Sequence, residues 1–269
     1  MKSFLTALAF LTVFPIRFRE SPSPAVVAQS RFWYPFVGLL LGLVLGGWTA
    51  LIGQLGEPLL QAFLILLAWV GLTGALHVDG FCDLCDGLFG GQTAEDRLRI
   101  LKDPRVGTFG LVGGVLLLLG KFVALHSVVR GWGSATGTPL SVDYGAWVVC
   151  AAVLISRCLV LCVAAKSHYP RPEGTGKALI EATSWKEAGG FAVLAAGVAW
   201  STAPHYSDWG VAIGLFAPTF LAVILLRRIC QRRLGGITGD CLGAAIELCE
   251  VIFLMSATIA RSVTLNAPS

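Results

Sequence analysis

Seven stretches of close to twenty residues run through this chain with almost no charge, and their recurrence constrains the fold more than any motif does. They cover residues 32–56, 58–76, 106–129, 144–165, 188–207, 209–226 and 241–260, and the acidic and basic residues within them are Lys121, Arg157, Glu247 and Glu250. A helix needs roughly 20 apolar residues to cross the hydrocarbon core of a bilayer. Backbone N–H and C=O groups in lipid must be satisfied within the segment, so stretches of this kind fold as helices. The expected fold is all-α, a polytopic membrane bundle of about seven transmembrane helices forming one domain over residues 1–269. Composition agrees: 55% of residues are apolar and 13% charged, with a mean hydropathy of +0.76, which excludes an ordinary soluble domain.

Basic residues give the sidedness. Arg17, Arg19 and Arg31 precede the first stretch, and Arg97, Arg99, Lys102 and Arg105 follow the second. Lys166, Arg171, Lys177 and Lys186 follow the fourth, and Arg227, Arg228, Arg232 and Arg233 the sixth. The alternate connections, 53–57, 131–143 and 201–208, carry no Lys or Arg. The positive-inside rule then places the basic segments in the cytoplasm, in a multi-pass protein of the cell inner (plasma) membrane. The net charge of +4 is a sidedness signal; no basic soluble face offers itself to nucleic acid. The first 16 residues, MKSFLTALAFLTVFPI, read as a short helix lying on the membrane or on the bundle, without a small-residue cleavage site. The eight cysteines are scattered and form no disulfide framework.

Against this apolar background, residues 77–87 read HVDGFCDLCDG. On a helix Asp79, Asp83 and Asp86 are spaced i, i+4, i+7, which sets three carboxylates on one face. Like charges so placed repel unless a cation sits against them, and hard oxygen donors favour Mg²⁺, Mn²⁺ or Ca²⁺ over softer metals. Asp79, Asp83 and Asp86 are therefore candidate metal ligands, in a main cytoplasmic loop spanning 79–108. Cys82 and Cys85 lack the second pair of soft ligands that zinc needs, and packing explains them better. His77 either holds a carboxylate or phosphate or is structural. Downstream, AEDRLRILKDPRVGTFG (94–110) brings Arg97, Arg99, Lys102 and Arg105 beside the acidic face, and metal plus basic residues suits a diphosphate.

A second constellation is LGGITGDCLGAAIELCE, residues 234–250. Its glycines lead into a helix that opens with Thr238 and Asp240, a geometry suited to phosphate and to a further metal carboxylate. Asp240 is alternatively an N-cap. Glu247 shares the Asp240 face inside an apolar helix, and an intramembrane carboxylate is a functional candidate by default; Glu250 lies off that face. By depth, Arg157 and Glu247 are expected to meet on the floor of the same cleft, with Lys121 deeper and structural.

GALHVDGFCDLCDG, DRLRILKDPRVGTFG and LGGITGDCLGAAIE, in that order, resemble the cobalamin-5′-phosphate synthase family, also called adenosylcobinamide-GDP ribazoletransferase. The resemblance runs end to end. It implies a membrane transferase that joins adenosylcobinamide-GDP to α-ribazole or its 5′-phosphate, releases GMP and uses Mg²⁺. On that reading Asp79, Asp83, Asp86 and Asp240 hold metal. Asp86, Asp240 or Glu247 takes the proton of the attacking hydroxyl. His77, Arg97, Lys102, Arg105, Thr238 and Arg157 contact substrate. The logic is similar to that of CDP-alcohol phosphotransferases, although the A-R pair expected soon after their first D-G is missing. A phospholipid-type synthase, releasing CMP, is one alternative. A secondary transporter, moving substrate without consuming a nucleotide-activated donor, is another. The sequence is silent on homo-oligomers.

Overall fold

The computed structural model describes residues 1–131, 144–203 and 209–266, and among them every regular element is helical. In chain order these are α1 (Lys2–Leu11), α2 (Pro24–Ser30), α3 (Tyr34–Ile52), α4 (Pro58–Thr73), α5 (Leu76–Gly90) and α6 (Ala94–Ile100). Then come α7 (Thr108–Gly131), α8 (Tyr144–Ala164), α9 (Lys177–Ala182), α10 (Trp185–Ser201), α11 (Trp209–Leu234) and α12 (Gly239–Asn266).

Helix α8 is the axis of the bundle. Nearly all of its side chains from Gly145 to Ala164 are buried, so it is apolar on every face and covered by α3, α10, α11 and α12. The approach of α3 is closest. A side chain at Gly42 would bring its Cβ within 2.7 Å of the Cys150 carbonyl oxygen, and one at Gly46 within 2.8 Å of that of Ala146. Small residues four apart let two backbones meet, which is how membrane helices associate without help from water. The outer helices present large apolar side chains outward, among them Leu43, Phe63, Leu67, Leu116, Ile213 and Leu221. A hollow of about 490 Å³ between α3 and α4 belongs to this lipid-facing surface, being lined by residues such as Val44, Trp48, Leu51 and Leu72.

Five helical segments are long and apolar enough to cross a membrane, or six if α4 and α5 together count as one. Two of the expected seven spans differ. The stretch at 188–207 yields α10, which has 17 residues, short of the roughly 20 a crossing needs; residues 204–208 lie outside the described set. The stretch at 58–76 breaks at Gly74 and Ala75, both left-handed at φ 59° and 57°, and α5 leaves α4 at 86°. Gly tolerates that backbone without strain; Ala does so at a cost of about 1 kcal/mol. The segment 79–108 is accordingly two helices and a short turn more than it is a loop. Residues 132–143 of the connection expected at 131–143, and 204–208 of that at 201–208, fall outside the described residues.

Candidate functional site

The break after α4 lays α5 across the start of α12. A Cβ at Gly80 would lie 3.2 Å from the Asp240 Cα, and one at Gly243 would lie 3.3 Å from the His77 Cα. Glycine at both crossing points lets the helices touch, and the touch brings Asp79 and Asp240 together although they are far apart in sequence. Both line a cleft of about 400 Å³. Its polar side is His77, Asp79, Thr175 and Asp240, with the backbones of Gly80, Gly176 and Gly239; its apolar side includes Phe10, Leu11, Leu179, Leu242 and Ile246.

Asp79 is exposed, while Asp83 and Asp240 are partly buried. Asp79, Asp86 and Asp240 all lie within electrostatic reach of Asp83. Asp86 departs from the others. It is buried, and its two oxygens accept the backbone N–H groups of Gly107 at 2.7 Å and Gly110 at 2.8 Å, which ties α5 to the positive end of α7. Its place on the acidic face is thus used for holding two helices together. Cys82 and Cys85 pack beside it, where a Cβ at Gly114 or Gly113 would stand 2.7 Å from their respective sulfurs. Among the described residues no three His, Cys, Asp or Glu side chains are gathered closely enough to hold a metal ion as they stand.

At the start of α12, Thr238 is the cap. Its hydroxyl accepts the Cys241 N–H at 3.4 Å and donates to Asp240 Oδ2 at 3.2 Å. It is fully buried, so the substrate contact expected of it is taken up by this internal duty. Asp240 sits one residue inside the helix, where the dipole favours a carboxylate. The glycine turn before it is closed by a hydrogen bond from the Ile237 N–H to the His168 carbonyl, 2.9 Å. That amide is therefore not available to a phosphate.

The basic segment is also placed differently from expectation. Arg97 is buried and reaches the Arg233 carbonyl at 3.2 Å, joining α6 to α11. Arg105 is exposed and forks onto Asp103 at 2.8 and 2.9 Å, holding that carboxyl down to about 2. Lys102 is exposed. None of the three lines the cleft. Arg171 is not a lining residue either, but it stands 3.6 Å from Asp240, which is. In the sequence Arg171 counted only toward sidedness; P-R-P in a cytoplasmic segment gives no sign of which helix end it will meet.

One helical stage deeper lies a sealed ionic cluster. Lys121 donates to Glu247 and to Glu250, each at 2.6 Å, with the Trp69 ring 4.8 Å from its ammonium. Arg157 pairs with the other oxygen of Glu250 and with Ser156. All four charged side chains are at most 2% exposed. The expected Arg157–Glu247 pair is therefore replaced by Arg157–Glu250 and Lys121–Glu247. Glu250, which spacing put off the functional face, is the hub. None of these residues lines the cleft.

Apolar helices surrounding a buried axis, with carboxylates brought to a cleft between helix ends, define a polytopic helical membrane protein. The chain belongs to the cobalamin-5-phosphate synthase family, which it matches over residues 3–258. It is 39% identical to the adenosylcobinamide-GDP ribazoletransferase of Ectopseudomonas mendocina over 258 residues, 93% of this chain and 96% of that one. It is 35% identical to the same-named protein of Chlorobium phaeobacteroides, covering 95% and 97%, and 39% identical to that of Stutzerimonas stutzeri, covering 95% and 97%. No solved structure matches the chain.

Proposed function

We propose that this protein is an adenosylcobinamide-GDP ribazoletransferase of cobalamin biosynthesis, and that the cleft between α5 and α12 is its active site. The observation that carries the reading is the match, across nearly the whole chain, to relatives of that name at 35–39% identity. Phospholipid synthesis and secondary transport are not favoured by those relatives.

In the reaction, a ribose hydroxyl of α-ribazole or its 5′-phosphate attacks the phosphorus nearer the cobinamide. The bond from that phosphorus to the oxygen bridging toward guanosine breaks, GMP leaves, and the hydroxyl proton passes to a base. Asp240 is the base, because of the candidates Asp86, Asp240 and Glu247 it alone lines the cleft. Asp86 is engaged by two amides and Glu247 by Lys121. Asp79 and Asp83 are hard oxygen donors one turn apart, and their chemistry fits Mg²⁺ or Mn²⁺. Such an ion supplies charge neutralisation for the diphosphate and the departing GMP. The apolar side of the cleft gives the bulky donor a surface to lie against and keeps water from the phosphorus. The basic segments and this cleft face the cytoplasm of the inner membrane, a sidedness supported by the alternation of Lys and Arg along the sequence.

The test is direct. Purified protein, given adenosylcobinamide-GDP, α-ribazole and Mg²⁺, should release GMP in step with formation of the joined product. Release of CMP from a CDP-alcohol instead, or substrate flux into vesicles without any nucleotide released, would replace this reading with one of its rivals.

A further inference from the structure

The segment between α8 and α9 supplies more of the cleft than the sequence suggests. It contributes Thr175 and Gly176 to the wall facing Asp79 and Asp240. It is also firmly placed. The Lys166 N–H donates to the Thr183 carbonyl at 2.9 Å, His168 accepts from Ile237 at 2.9 Å, and Lys177 Nζ closes back onto the Pro172 carbonyl at 2.9 Å. Within this braced segment Arg171 has a side chain only 12% exposed, with Nη2 3.6 Å from Asp240 Oδ2. That separation is too long for a hydrogen bond. Its Nε and Nη2 have no hydrogen-bond partner. The charge of Arg171 reaches Asp83 as well as Asp240. His77, also a lining residue, is 3% exposed with Nδ1 unpartnered, and it lies within electrostatic reach of Arg157, Glu250 and Lys121.

A guanidinium has parallel donors in a rigid fork that matches two oxygens of a phosphoryl group. Arg157 has the same two donors unmet but is sealed, whereas Arg171 stands beside Asp240, which lines an open cleft, so its donors can turn to a bound ligand. We infer that Arg171 binds the diphosphate of the donor, exchanging its loose contact with Asp240 for two phosphoryl oxygens. This inference rests on the reaction proposed above. The duty is the one the sequence suggested for Lys102 and Arg105.

The full chain in lipid nanodiscs, with Mg²⁺ saturating, is titrated calorimetrically with inorganic pyrophosphate. R171Q should weaken binding at least 30-fold and R171K should recover only part of the loss, because lysine has no fork. D240N should bind pyrophosphate as tightly as the unchanged protein, or more tightly, since it removes the competing carboxylate. The inference is overturned if R171Q or R171K binds like the unchanged protein, if D240N weakens binding as much as R171Q does, or if the unchanged protein binds no pyrophosphate. R171K keeps the charge, so it decides the matter should R171Q not fold. GMP release is measured alongside on the unchanged protein. Its absence would sink the proposed reaction while the pyrophosphate titrations still judge Arg171.

Discussion

Helix α12 carries Asp240 at its open end and Glu247 and Glu250 two to three turns further in, roughly 10–15 Å at 1.5 Å per residue. The same kind of side chain has opposite duties at the two ends. Asp240 is partly exposed, lies in a cleft, and faces a cation it only loosely engages. Glu247 and Glu250 are sealed and balanced in charge by Lys121 and Arg157, two negative against two positive, although Arg157 Nε and Nη2 have no hydrogen-bond partner. A buried ion pair adds little net stability over a well-packed apolar substitute, but breaking one leaves an uncompensated charge. The inner cluster therefore fixes which helices neighbour one another, α7, α8 and α12, whereas the outer one is left incomplete in a way that suits a ligand. Access, more than charge itself, separates a site from a clasp.

The sharpest way to break this distinction is at the hub. E250Q should leave Lys121 and Arg157 short of charge and destabilise the protein by about 3–5 kcal/mol, read as a large fall in melting temperature or loss of monodisperse protein in detergent. A stable E250Q protein lacking only turnover would move the inner cluster into the active site. Next in size, D79N should lower GMP release by about 10²–10³-fold, the scale of losing one electrostatic stabiliser, with the melting temperature unchanged. EDTA should imitate it and Mg²⁺ or Mn²⁺ reverse it; restoration by zinc alone would shift attention to Cys82 and Cys85. Smallest is D86N, which weakens two charge-assisted hydrogen bonds and should cost about 1.5–3 kcal/mol of stability. Its turnover, measured on the fraction that remains folded, should stay closer to normal than that of D79N. Equal loss of turnover in D79N and D86N, without loss of stability in either, would restore Asp86 to the metal set.

Much of this was legible in the residues. Long uncharged stretches announce membrane helices because the bilayer offers the backbone no other choice, and the acidic motif and the α12 motif do meet. The parts that were not legible depend on which elements touch. Spacing put Asp86 on the face of Asp79 and Asp83, but a helix face is some 60° wide. The amides at the start of α7 reach only its last member. Depth along a helix chose Glu247 for Arg157, yet Glu247 and Glu250 differ by less than a turn, and only the positions of α7 and α8 decide between them. The bend at Gly74–Ala75 had its glycine as a sign, but an alanine at φ 57° is not something composition announces. Arg171 was hidden for the plainest reason. A basic residue in a connection between spans already has an explanation, and nothing local distinguishes one that only sets orientation from one that stands beside a cleft carboxylate.

The clasp also has a history within each molecule. Arg157 is synthesised 93 residues before its partner Glu250, and Lys121 is synthesised 126 residues before Glu247. At the usual pace of translation, about 5–20 residues per second, the arginine spends roughly 5–20 s on the growing chain before its counter-ion exists. During that interval α8 is already apolar enough to enter the bilayer, carrying a cation with nothing to meet it. Until α12 emerges and locks the bundle, insertion of α8 has to bear that cation at a cost of about 2.5–3.5 kcal/mol. A chain that stalls before residue 247 is left with two bare cations in lipid. Membrane quality control can recognise that defect without any knowledge of the reaction.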